Sequence, residues 1–228
     1  MSETIYGQKT ISIINGLHRQ GVTRFSVIMR HSARHYDEDI QMEPFMPLTS
    51  EGRAFSYDYG RNLPVGLSAR FFSSYIGRCI ETAYLIDKGF TAHKSGQTSN
   101  NSVTKDIAPF YIIDFTKLIE IILEQETPIF IRNWLNKQLP ETTIMSAKAS
   151  AVRMFTLLTI KFQELPEDSI DIFVTHDWNM YLLKELGLGL KHEENGAIEY
   201  LEGLVLFEKE GEIFITNHQS EPQKFVMP

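Results

Sequence analysis

The chain has 228 residues, 43% hydrophobic and 22% charged, with a formal net charge of −7. That length suits one large domain or one domain with an insertion, and the composition excludes a disordered chain. The acidic balance excludes bulk nucleic-acid binding, the single Cys79 excludes an intramolecular disulfide framework, and no apolar run approaches the length of a membrane span.

Residues 1–9 lack the basic-then-apolar profile of a signal peptide, so a cytoplasmic location is expected. The first apolar run, 25–29, reads as a buried strand that hands Arg30-His31-Ser32-Ala33-Arg34 to a loop. A long loop follows over 33–47, carrying Pro44 and Pro47. Leu48-Thr49-Ser50-Glu51-Gly52 opens a helix to about 61, with Thr49 or Ser50 as its cap. Residues 70–74 read as a second strand, and 76–88 as the helix after it. The polar tract 95–101 reads as a surface loop, and 103–108 as a short strand. Between 109 and 143, apolar spacing predicts helices over 114–124 and 131–139, read as a helical insertion that roofs a site. A long helix is expected over 145–164, a third clear strand over 169–175, and a helix over 178–186. The chain closes on an antiparallel hairpin, 203–209 with 212–216, turning at Glu210-Gly211. The expected class is therefore α/β, a mostly parallel sheet flanked by helices. One domain spanning 1–228 is expected, with 109–143 as its cap.

Chemistry-bearing residues collect where this reading places strand ends. Arg30 and His31 follow the first strand, Arg78 follows the second, and His176-Asp177 follow the third. Parallel strands present such residues at one edge of the sheet, where ligands of open α/β proteins bind. Alone, each has a plain explanation: an exposed arginine is usually a solvated charge, and Thr-His-Asp is usually a helix cap. Three strand exits bearing guanidiniums, imidazoles and a carboxylate point instead to a forked anion, most simply phosphate.

These residues resemble the histidine phosphatase superfamily, specifically its acid-phosphatase branch. The resemblance rests on Arg30-His31-Ser32-Ala33-Arg34, with its second arginine three residues after the histidine, and on Leu48-Thr49-Ser50-Glu51-Gly52. It continues through Ser73-Ser74-Tyr75-Ile76-Gly77-Arg78-Cys79-Ile80-Glu81-Thr82-Ala83 and His176-Asp177-Trp178-Asn179, in family order from about residue 24 to 182. It implies a phosphoglycerate-mutase-like fold, a nucleophilic His31 that forms a phosphohistidine, and Arg30, Arg34, Arg78 and His176 as phosphate ligands. Asp177 would protonate the leaving alkoxide and then help water attack. The same guanidiniums should lower the His31 pKa by like-charge repulsion. Neither a metal nor another cofactor is implied. Ser32 departs from the usual glycine, so it either strains the backbone or donates its hydroxyl at the site.

Ser32, Tyr36, Trp178 and Asn179 are the candidate substrate-pocket residues, with Phe45 a further aromatic; for Asn179 the competing role is capping the next helix. Cys79 reads as an inert core thiol and Glu81 as a structural partner. Asp106 and Asp114 read as structural carboxylates, and His18, His93, His192 and His218 as surface residues. His31 and His35 lie four apart, but no Glu accompanies them and arginines intervene, so a metal pair is not expected. The expected activity is metal-independent hydrolysis of a small phosphomonoester, with no nucleic acid or membrane as partner. The alternatives are a phosphotransferase or mutase of the same superfamily, or an impaired phosphate-binding regulator.

Overall fold

The first strand alternates its burial with a period of two: Phe25, Val27 and Met29 join one apolar cluster, while Ile28 joins the other. That two-sided burial places it in the interior of a sheet covered on both faces. The computed structural model describes residues 5–92 and 97–228. Its elements begin with α1 (Gln8–Arg19), β1 (Arg24–Arg30), a 3-10 turn (Ile40–Phe45), α2 (Ser50–Arg61), β2 (Ser68–Ser73) and α3 (Gly77–Ala92). They continue with β3 (Gln97–Val103), a second 3-10 turn (Lys105–Ile107), α4 (Phe115–Leu123), α5 (Thr127–Leu135) and α6 (Ala147–Gln163). The last are β4 (Ser169–Thr175), α7 (Asp177–Leu188), the short α8 (His192–Asn195), β5 (Gly203–Lys209), β6 (Glu212–Asn217) and β7 (Ser220–Lys224).

Among the described residues, seven strands form one sheet in the order β3-β2-β4-β1-β5-β6-β7. The first four run parallel, and β5, β6 and β7 extend the sheet in antiparallel pairing. Arg30 pairs with Thr175 and Ser73 with Val174, so β1, β2 and β4 end level at one edge. Helices α1, α2 and α3 bury Ile14, Tyr59 and Ile86 on one face, against Phe25, Phe71 and Ile172. On the other face, α5, α6 and α7 bury Trp134, Phe155 and Leu183 against Phe72, Phe173 and Leu206. The mixed α/β class, the parallel centre and the terminal hairpin match expectation.

Several elements differ from the sequence reading. Helix α1 was not anticipated; Ile11, Ile14 and Leu17 give it a narrow apolar stripe that lies on the sheet. Of the tract read as a loop, residues 97–101 belong to β3, and 95–96 lie outside the described residues, as does His93. This strand has little apolar character and gains order from β2 and from Asp87, whose carboxylate accepts from Thr98 and Asn101. The short strand expected over 103–108 is mostly the second 3-10 turn. Strand β7 adds a third member to the terminal hairpin. Asp114 caps α4, and Asp106 pairs with Arg153 at 2.6 Å, so both carboxylates are structural as read.

One glycine fixes the path of the chain after β1. A Cβ at Gly52 would lie 2.0 Å from the carbonyl oxygen of Ala33. The hydroxyl of Thr49 accepts from Gly52 N at 2.9 Å, and Thr49 N donates to Ala33 O at 3.0 Å. The start of α2 is thereby pressed against the segment that carries His31 and Arg34. Gly52→Ala should therefore cost about 1–3 kcal/mol through overpacking, read as a lower urea midpoint with an unchanged slope. An unchanged midpoint would show that the segment yields freely.

Candidate active site

His31 leaves the end of β1 with its backbone N–H bonded to Thr175 O at 2.9 Å, which ties it to β4. Its side chain is almost wholly buried. Nδ1 lies 2.8 Å from the carbonyl oxygen of Ser32, and Arg78 Nε lies 3.0 Å from Nε2. A carbonyl only accepts and a guanidinium N–H only donates. Nδ1 therefore carries the proton, and Nε2 presents its lone pair. Burial, then the charges of Arg78, His176 and Arg30, hold the His31 pKa well below the usual imidazole range. The ring is a neutral base with one defined tautomer.

Arg78 and Arg30 act on this ring directly, and Arg34 joins them through Glu43. Arg78 comes from the first turn of α3, and its Nη1 donates to Glu43 O at 2.7 Å. Its Nη2 lies 3.4 Å from the Glu43 carboxylate, which Arg34 also meets at 2.5 Å. Arg30 pairs with Asp177 at 3.0 Å, donates to Ile198 O at 2.6 Å, and lies over the Tyr200 ring, 4.2 Å from its centroid. Each guanidinium is thus held by an acidic or aromatic group as well as by chain carbonyls.

His176 precedes α7, with its ring centroid 5.8 Å from that of His31. Its Nε2 lies 2.9 Å from Ser74 Oγ. Burial, then the charge of Arg78, lowers its pKa to about 3. Asp177 opens α7 with Oδ1 accepting from Trp178 N, while Oδ2 faces Arg30. Cys79 is buried against Thr175 O, and burial pushes its thiol up to about 12, as suits an inert core residue. Glu81 pairs with Arg53 at 2.6 Å.

The four pocket candidates separate. Ser32 does not adopt a left-handed backbone, so serine brings no strain there. Its hydroxyl donates to Gly52 O at 2.7 Å, which removes it from the proposed pocket and makes it a brace to α2. Asn179 is likewise directed inward, donating to Ile107 O at 2.9 Å and Thr175 Oγ1 at 2.6 Å; the pocket placement is corrected to a tie between α7 and the second 3-10 turn. Tyr36 is exposed, with the Arg34 guanidinium 4.0 Å over its ring and its hydroxyl 2.5 Å from that of Tyr200. Trp178 is half-buried and packs on Phe130 of α5, with ring centroids 4.6 Å apart. Residues 109–143 thus reach α7 beside Asp177.

Four groups escaped the sequence reading. Glu43 has no motif to mark it. Thr82 Oγ1 accepts from Ser32 N at 3.2 Å and donates to Arg78 O at 2.7 Å, joining the segment after His31 to the helix that supplies Arg78. Tyr200 covers Arg30. A buried pair, Lys184 with Glu202 at 2.5 Å, holds the segment before β5, where Glu202 O accepts from Arg30 N. Only Thr82 lay within a recognised motif, and its spacing of four from Arg78 on one helix face was the available signal. His31 and His35 do not share a helix. Glu185, His192 and Glu193 cluster elsewhere, and Arg132 already binds both carboxylates.

No protein-family model and no curated protein matches the chain. Solved structures do. Bacillus stearothermophilus YhfR matches at 17% identity with a TM-score of 0.60, over 85% of this chain and 95% of that one. A mycobacterial glucosyl-3-phosphoglycerate phosphatase matches at 14% identity and 0.56, over 88% and 96%. Phosphoserine phosphatase from Entamoeba histolytica matches at 13% and 0.52, over 85% and 95%. The likeness at these identities is one of fold: the chain has the phosphoglycerate-mutase-like fold that these structures share.

The two buried imidazoles tie stability to pH. Unfolded histidines bind protons below about pH 6.5, while His176 in the folded chain stays neutral down to about 3. The unfolded state then binds more protons, so stability falls as pH drops below 6.5. Replacing His176 with Asn should flatten the loss between pH 6.5 and 5 by about 1–2 kcal/mol, measured by urea unfolding at each pH. An unaltered slope would mean that His176 is protonated in the folded state.

Proposed function

We propose that the chain is a phosphomonoester hydrolase that works through a phosphohistidine on His31. The observation that carries this reading is the lone pair on His31 Nε2, fixed by the Ser32 carbonyl on one nitrogen and the Arg78 guanidinium beside the other. An imidazole attacks phosphorus only through an unprotonated nitrogen, and this one is held unprotonated without a separate base.

Arg30, Arg34 and Arg78 would grip the non-bridging oxygens and offset charge in the transition state, the main task in phosphoryl transfer. His176, neutral in its buried setting, would add a hydrogen bond. Nε2 gives up its hydrogen bond from Arg78 and forms the bond to phosphorus as the ester P–O bond breaks. The departing oxygen takes a proton from the acid form of Asp177. Water then attacks the phosphohistidine, Asp177 takes the water's proton, and the P–N bond electrons return to Nε2. Asp177 is paired with Arg30 at 3.0 Å. A phosphate dianion competes for that guanidinium, which would release the carboxyl group toward the departing oxygen.

The solved neighbours in this fold include phosphatases by name, which supports the reaction class. A small phosphorylated metabolite is the proposed substrate. The net charge of −7 works against highly charged polyphosphates outside the arginine cluster. Tyr36 and Trp178 would wall the leaving-group side.

Hydrolysis of an aryl phosphate should disappear in His31→Ala; turnover retained in that variant would eliminate the phosphohistidine. Asp177→Asn should slow alkyl phosphates, with their poor leaving groups, by about 10²–10⁴ while sparing aryl phosphates far more. Equal losses on both substrate types would remove Asp177 as the acid.

A further inference from the structure

Glu43 sits where a phosphate ligand of this site would have to bind. Its carboxylate meets Arg34 at 2.5 Å and Arg78 at 3.4 Å, two of the guanidiniums assigned to the phosphoryl oxygens. A single carboxylate oxygen, Oε1, meets both guanidiniums and so occupies donors that a phosphate oxygen would otherwise take. The third contact is from the chain itself, since Arg78 Nη1 donates to Glu43 O.

The turn that carries Glu43 lies outside the core. None of the residues in Ile40–Phe45 is buried, and Phe45 is 73% exposed. Its stem is closed by the bridge between Arg34 and Leu48 and by His35 N donating to Pro47 O at 3.0 Å. Within the stem, Asp39 caps the turn through Gln41 N, so the turn holds its shape without the core. A segment with few apolar contacts and closed ends opens at low cost, and Glu43 supplies most of its attachment to the site.

We propose that Glu43 is a built-in competitor of the phosphate ligand, docking the 39–45 turn over the arginines until a phosphomonoester displaces it. This rests on the phosphatase reading of the same site. The displacement selects by charge. A phosphate dianion, reaching Arg30 as well as Arg34 and Arg78, outcompetes a single carboxylate, whereas a singly charged phosphodiester has less advantage. Glu43 therefore acts as a specificity-determining residue.

Orthophosphate and vanadate binding, measured by calorimetry on the full chain, tests this without turnover. Glu43→Gln keeps the size of the side chain and removes its charge. It should bind orthophosphate roughly tenfold tighter, the gain expected if the turn is docked about nine-tenths of the time, and KM for an aryl phosphate should fall in step. Glu43→Asp keeps the charge but is too short to bridge both guanidiniums, so its affinity should lie between the two. Weaker or unchanged phosphate binding in Glu43→Gln would overturn the proposal, since it would make Glu43 a support for the arginines. An affinity in Glu43→Asp equal to that of the wild type would overturn it too, because a remote charge would then suffice. If neither the wild type nor Glu43→Gln binds orthophosphate or vanadate, the phosphatase reading fails and the competitor falls with it. Binding by the wild type with no gain in the variant sinks the competitor alone.

Discussion

The ring of His31 is clamped between an atom that can only accept a proton and a group that can only give one. The Ser32 carbonyl takes the Nδ1 proton, and the Arg78 guanidinium faces Nε2. Much of the surrounding architecture serves that clamp. Level ends of β1, β2 and β4 bring the His31 segment and the start of α3 to one edge. Thr82 then fixes their spacing by bonding Ser32 N and Arg78 O together. The close approach of Gly52 to Ala33 holds the same segment from the other side. Orientation is thus set by backbone and helix positions, which are stiffer than side chains alone.

Burial of so much positive charge imposes its own requirement. A cation taken out of water must be matched by anions and hydrogen bonds, or the fold loses several kcal/mol per ion. Arg30 meets Asp177 and Ile198 O, and Arg34 and Arg78 share Glu43. An anion at each guanidinium meets that requirement, whether it is a carboxylate of the chain or a bound phosphate. The Lys184–Glu202 pair extends this arrangement one layer outward, supporting the segment whose carbonyls receive Arg30. The reactive edge and the neighbouring interior are stabilised by the same electrostatic network.

Apolar periodicity made β1, β2, β4, β5 and α6 readable, because each owes its place to burial that its own residues specify. The motif arginines and histidines could be placed for the same reason, as each follows a strand of that kind. Helix α1 had the spacing of Ile11, Ile14 and Leu17 to announce it, but its polar remainder hid the stripe. Strand β3 is written in Gln, Thr, Ser and Asn, and its order comes from Asp87 and the β2 ladder, neither of them local. Ser32 and Asn179 show the limit at the site: both sit inside motifs, yet their side chains are spent on Gly52 and Ile107. Glu43 was invisible because only the closure of a loop brings it to partners nine and thirty-five residues away.

Both borders of the sheet are polar. On one side β3 faces outward with amides and hydroxyls; on the other β7 carries Glu221, Pro222 and Lys224. An unpaired border strand is a template on which a second chain can assemble, and a flat apolar one invites fibrils. Here proline withholds a donor at one border, and the solvated side chains at the other gain nothing from being covered. Polar borders of this kind disfavour the addition of a further strand.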